Sequence, residues 1–130
     1  MVRILLVEDD PDVRPLLEHI LLTSDFQVTS TESVATASSL LDNQPFDLVI
    51  TDVNLPDGNG LRIADKAIAM GTKALVVTGH GLTLQPGALE PYNYLLKPLR
   101  VGELLAGIER CLAKEEKRDD ANVVPFPKPE

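Results

Sequence analysis

Apolar residues are distributed along this chain in two alternating rhythms. Ile4 to Val7, Leu48 to Ile50, Ala74 to Val77 and Tyr94 to Leu96 are short runs of consecutive apolar side chains. They predict strands of a parallel sheet covered on both faces. Between them the spacing becomes helical, with Val13, Leu16, Leu17, Ile20 and Leu21, then Val34, Ala37, Leu40 and Leu41, then Leu61, Ala64, Ala67 and Ile68. Each set predicts a helix with one apolar face. The clearest is the last, in which Val101, Leu104, Leu105, Ile108, Cys111 and Leu112 share one face, so Cys111 is expected in the core rather than as a reactive thiol. Gln27 to Ser30 forms a weaker, more polar run that suits a sheet edge.

Five strands alternating with helices predict an α/β fold with right-handed crossovers and helices on both faces. Helix start signals agree. Asp10 or Pro11 can open the first helix, Ser33 can cap the second, and Pro98 stands where the last must begin. Lys114 to Asp120 suits a solvated helix end. The last residues, with Pro125, Pro127 and Pro129, suit a tail or linker. The division expected is one domain over residues 1–117 and a tail over 118–130.

Length and charge narrow the function. The 130 residues suffice for one core without disulfides or a structural metal. The apolar runs are far too short to span a bilayer, and with no basic leader or apolar h-region ahead of the first run an export signal is not expected. A single cysteine excludes an internal disulfide and suits a reducing cytosol, so a cytoplasmic location without membrane insertion is expected. Twelve basic residues against 20 acidic ones give a net charge of −8, which disfavours direct binding of nucleic acid or anionic lipid.

Some of those acids have a second use. The four apolar runs are followed or ended by Glu8 and Asp9, by Asp52, by Thr78 and by Lys97. Parallel strands bring such ends to one edge of the sheet, where open α/β sheets bind ligands. Carboxylates gathered there repel, by roughly 4 kcal/mol for two charges about 4 Å apart at an effective dielectric near 20. A hard divalent cation relieves that repulsion, and a few carboxylates with water and phosphate oxygens favour Mg²⁺. Lys97 adds a second positive charge, and Thr78 a hydroxyl able to donate to phosphate. The set suits phosphoryl transfer to a carboxylate nucleophile. Taken singly, Asp52 is equally a turn or cap residue, Asp9 or Asp10 a helix cap, Lys97 a surface lysine and Thr78 a strand end; only their joint placement points to chemistry.

Val7-Glu8-Asp9-Asp10, Val49-Ile50-Thr51-Asp52 with Leu55-Pro56-Asp57-Gly58-Asn59-Gly60, Val76-Val77-Thr78-Gly79 and Leu96-Lys97-Pro98 together resemble the receiver domain of two-component response regulators over roughly residues 2 to 115. The resemblance implies a flavodoxin-like, doubly wound, five-stranded parallel sheet of order 2-1-3-4-5. It also implies that Asp52 is phosphorylated from a histidine on a sensor kinase or a histidine phosphotransfer protein. Mg²⁺ would be held by Asp9, Asp52 and the backbone carbonyl of Asn54, with Glu8 acting mainly through water. Thr78 and Lys97 would contact phosphoryl oxygens, with Gly79 leaving room for the phosphate and offering its N–H. The Lys97-Pro98 bond is expected to be cis. Asn54 and His80 occupy the positions that control attacking water, with a solvated loop residue as the plainer role for His80. His19 has no evident chemistry. Thr78 and Tyr94 match the pair that reports phosphorylation to an output protein, and a homodimer is a further partner left open.

One departure stands out. Thr78 and Lys97 are only 19 positions apart, about a helical turn closer than the family pattern. The intervening Leu84 to Pro91 contains two prolines and a glycine, so the fourth helix is expected to be short or irregular.

Other classes fit less well. A phosphatase of the haloacid dehalogenase type needs an Asp-x-Asp arrangement that Glu8-Asp9-Asp10-Pro11 does not supply. In a flavodoxin-like nucleotide binder, the acidic first loop would repel the phosphate. A receiver that no longer phosphorylates would not need every acidic, hydroxyl and lysine position.

Overall fold

The apolar runs form strands whose two faces are both covered. A computed structural model of the chain describes residues 1–79, 89 and 91–113. In chain order the elements are β1 (Arg3–Val7), α1 (Val13–Thr23), β2 (Gln27–Thr31), α2 (Val34–Asn43), β3 (Leu48–Asp52), β4 (Asn54–Leu55), β5 (Gly58–Asn59), α3 (Leu61–Ala69), β6 (Lys73–Thr78), β7 (Asn93–Leu96) and α4 (Val101–Ala113). Five strands build one sheet in the order β2-β1-β3-β6-β7, with every pairing parallel. That is the expected order. The antiparallel β4–β5 hairpin directly after Asp52 is an addition that the apolar pattern does not reveal.

Alternation along each strand divides the core. Ile4, Leu6, Leu48, Ile50, Leu75 and Val77 face Leu17 and Leu21 of α1 and Leu104, Ile108 and Cys111 of α4. On the other side Leu5, Val7 and Val49 face α2 and α3 through Ala37, Leu41, Ile63 and Ala67, while Val76 and Ala74 pack with Ala64 and Val53. Cys111 is fully buried, as expected. Each fully buried Ile or Leu contributes about 2 kcal/mol, which in aggregate holds together a rim whose like charges oppose folding.

The helix starts refine the sequence signals. Ser33 caps α2, its hydroxyl accepting from Thr36 N at 3.1 Å. At α1 the first helical residue is Val13 rather than Pro11, and Asp10 supplies the capping oxygen, accepting from Asp12 N at 2.8 Å and Val13 N at 3.2 Å. The last helix begins at Val101, after Pro98, with its first turn closed by Leu104 N on Arg100 O.

Three apolar positions expected inside are exposed. Leu16, Ile68 and Val101 are each more than half accessible, because the apolar stripe of their helices is wider than the strip of sheet they cover. Leu16 and Val101 border an apolar groove of about 370 Å³ between α1 and the start of α4, floored by Val13, Leu17 and Leu104 and ending at Lys97. Likewise β7 is not covered on both faces. As the sheet edge opposite β2 it leaves Tyr94 and Leu96 40% and 52% exposed. The segment expected to hold the short helix before β7, apart from Leu89 and Pro91, lies outside the described residues, as do His80 and the chain beyond Ala113. No helix among the described residues is long and apolar enough to cross a membrane.

Candidate functional site

The C-terminal ends of β1, β3, β6 and β7 place the chemistry. Glu8 follows β1, its N–H donating to Thr31 O at 3.0 Å, and Asp52 closes β3 opposite Val77 of β6. Thr78, one residue further along β6, pairs in register with Leu96. Lys97 continues that ladder with its N–H on Thr78 O at 2.7 Å, through a cis Lys97-Pro98 bond. The strand ladder itself thus carries four distant residues to one rim.

Side-chain geometry completes the cluster. Lys97 Nζ donates to Glu8 Oε1 at 2.9 Å and to Asp52 Oδ2 at 3.0 Å. Glu8 is 1% exposed and Asp52 9%, so the lysine offsets repulsion between two carboxylates that water reaches poorly. Desolvation raises the Glu8 pKa above its ordinary value despite Lys97. For Lys97 itself burial opposes the charge, but hydrogen bonds and attraction from Glu8 and Asp52 outweigh it and raise its pKa. Glu8, Asp9 and Asp52 each offer an oxygen, all within 4.8 Å of one another. Three hard oxygen donors gathered so tightly fit a small divalent cation.

The remaining predicted residues lie around this cluster. Asn54 N donates to Asp52 Oδ1 at 3.3 Å, and the Asn54 side chain is exposed. The Thr78 hydroxyl is fully buried and has no hydrogen-bond partner among the described residues, an arrangement that usually costs about 1–3 kcal/mol. A Cβ on Gly79 would meet nothing within 4 Å, so no described atom demands glycine there. Tyr94 lies opposite Val76, two positions short of the Thr78 register partner, with its ring partly exposed. His19 is an exposed helix residue.

Gly60 is tightly constrained: a Cβ there would lie 1.7 Å from Asp52 O, and its N–H bonds Val53 O at 2.7 Å. Sequence reasoning missed the role of Asp57, whose two oxygens accept from Val34 N and Ala35 N at 2.7 and 3.0 Å. A Pro-Asp-Gly turn signals a bend and leaves a partner on another helix unspecified.

A family model for the response regulator receiver domain matches residues 4–109. The chain belongs to that family. It is 34% identical to the response regulator receiver protein CpdR of Brucella abortus, over 86% of this chain and 98% of that protein. It is also 34% identical to a two-component response regulator of Oryza sativa subsp. indica, over 91% of this chain. The chain spans only about a fifth of that relative's length (21%). Among solved structures, a CheY-like receiver domain protein of Methanospirillum hungatei superposes with a TM-score of 0.80 at 28% identity, covering 90% of this chain and 98% of the other. The response regulator TrrA of Thermotoga maritima, solved in complex with Mg²⁺ and BeF, gives 0.77 at 25% identity, covering 86% of this chain and all of that one (100%). The receiver fold and its five-stranded order are thus those of two-component signalling proteins. Against that background the acidic cluster Glu8, Asp9 and Asp52 is a receiver's acid rim, consistent with Mg²⁺ binding.

Proposed function

We propose that Asp52 accepts a phosphoryl group from a phosphohistidine on a sensor kinase or a histidine phosphotransfer protein. The observation that carries this is the rim itself, where Lys97 bridges Glu8 and Asp52 beside a third carboxylate, Asp9. In the transfer an Asp52 carboxylate oxygen bonds to phosphorus as the P–N bond to the histidine breaks, and the imidazole leaves with its electron pair. Asp9, Asp52 and the Asn54 carbonyl would hold Mg²⁺, with Glu8 acting through water. The ion would supply charge neutralisation for the phosphoryl oxygens.

The chain's own groups do the rest. Lys97, already within hydrogen-bond distance of Asp52, moves its charge to a phosphoryl oxygen. Thr78 donates its hydroxyl, unpartnered among the described residues, to another, and the Gly79 N–H can follow. Asn54 stands at the position from which water attack on the acyl phosphate is controlled, with His80 the plainer loop residue, so the domain assists both its own phosphorylation and its own dephosphorylation. Thr78 and Tyr94 report the change to an output protein, with a second copy of the chain as a further partner. Direct nucleic-acid binding has no part in this reading. The receiver unit runs over residues 1–117, residues 118–130 act as a tail, and the compartment is the cytoplasm.

Incubation with Mg²⁺ and acetyl phosphate, followed by intact mass, tests the proposal. The parent gains a labile phosphoryl adduct and Asp52→Asn gains none at that site. An unmodified parent, or an equal adduct on the variant, rejects it.

A further inference from the structure

We propose that Asp57 is a positioning residue for this site, holding the hairpin after Asp52 against the start of α2 and so fixing where the Asn54 backbone stands. The inference rests on the proposed role of the Asn54 carbonyl toward Mg²⁺. The β4–β5 hairpin pairs only Asn54 with Asn59 and Leu55 with Gly58, and so short a hairpin is not stable by itself. Something outside it must hold it.

Two anchors do so. At its base, Gly60 lies against the Asp52 backbone with no room for a Cβ, and Leu61 N donates to Asn59 Oδ1 at 2.8 Å. At its tip, Asp57 reaches 23 positions back in sequence and takes both Val34 N and Ala35 N. Gly58, with φ +155°, brings the turn to the Val34 side chain. Those two bonds hold the Asp57 carboxyl below its ordinary pKa, as expected for an anion at a helix N-terminus.

Ser33 takes only Thr36 N, and Asp57 takes two further N–H groups of the same helix start, so one carboxylate both completes the cap of α2 and ties the hairpin tip to it. Its partners belong to α2 while its own strand pair carries Asn54, whose N–H bonds Asp52 Oδ1. Releasing Asp57 frees the tip, and the Asn54 carbonyl loses its fixed place.

Mg²⁺ titration of the full chain, followed by ¹H–¹⁵N NMR, tests this on the parent, Asp57→Ala, Asp57→Asn and Val34→Pro, each with a urea unfolding curve. Asp57→Ala should weaken Mg²⁺ binding about 10-fold, the lower end of the cost of losing a residue that supports a metal ligand. Asp57→Asn keeps one acceptor oxygen and should lose less. Val34→Pro removes one donor from the opposite side, at a first helical position that favours proline, and should weaken binding in the same direction.

Unchanged Mg²⁺ affinity in a folded Asp57→Ala, whatever its stability, overturns the proposal. If that variant does not fold, unchanged affinity in both Asp57→Asn and Val34→Pro overturns it instead. A parent that binds no Mg²⁺ sinks the metal role proposed above, and this inference with it.

Discussion

The chain on either side of Asp52 is finished to different degrees. Toward α2 and α3, the loop after Asp52 is bonded internally: Gly60 to Val53, Leu61 to Asn59, and Asp57 to the first turn of α2. Toward β6, Thr78 offers a buried hydroxyl without a partner among the described residues, and β7 beyond it leaves Tyr94 and Leu96 exposed. One flank is closed by its own bonds, while the other holds a buried hydroxyl that no described residue pairs with and that the proposed function assigns to a phosphoryl oxygen. A bistable signalling element needs both, since a ligand shifts an equilibrium only through contacts that differ between states.

Four changes probe that contrast, beginning with the largest effect. Gly60→Ala drives a Cβ into the Asp52 carbonyl on the finished flank and should cost at least about 3 kcal/mol, the upper range for overpacking, read from urea midpoints. Lys97→Met removes the cation between Glu8 and Asp52 and should destabilise the fold at neutral pH by about 3 kcal/mol. Lowering the pH should recover much of that loss, because Glu8 already has a raised pKa and its protonation removes one of the two charges. A loss in Lys97→Met that does not shrink toward acid pH would separate the lysine from rim repulsion.

On the unfinished flank the sign reverses. Thr78→Val removes a buried hydroxyl that is unpaired among the described residues and should raise stability by about 1 kcal/mol while lowering the yield of the acetyl phosphate adduct. A destabilised Thr78→Val would mean that its hydroxyl is not left in reserve. The smallest effect is a pH dependence. The Asp57 pKa is lower in the fold than its ordinary 3.8, so as pH falls through that value the unfolded chain takes up the proton first. The stabilisation from Asp57 is therefore complete above pH 3.8 and is lost as pH drops through the folded value. Urea midpoints between pH 5 and 2 should show a steeper acid loss for the parent than for Asp57→Asn.

Much of this could be read from the chain because the signals are local. Strands buried on both faces appear as unbroken apolar runs, and the ends of those runs name Glu8, Asp52, Thr78 and Lys97 directly. What escaped notice depends on distance or on surface accounting. Asp57 and Val34 are joined only in three dimensions, and two-residue strands such as β4 and β5 carry no periodicity. Leu16 and Val101 fit a helical stripe perfectly well, yet the sheet covers only part of that stripe. Tyr94 lies in an apolar run that turns out to be an edge. That Lys97 touches both Glu8 and Asp52 at once also follows from the stagger of the rim, which composition does not encode.

The lysine bridge also has a history within each molecule as it is made. Lys97 lies 89 positions after Glu8 and 45 after Asp52. At a synthesis rate of roughly 5–20 residues per second, Asp52 precedes it by roughly 2 to 9 seconds. During that interval the nascent chain holds its acids without this counter-charge, and β7 is missing from the sheet. Closure of the receiver waits longer still, because α4 is translated after Lys97 and its Leu104, Ile108 and Cys111 cover one face of the sheet.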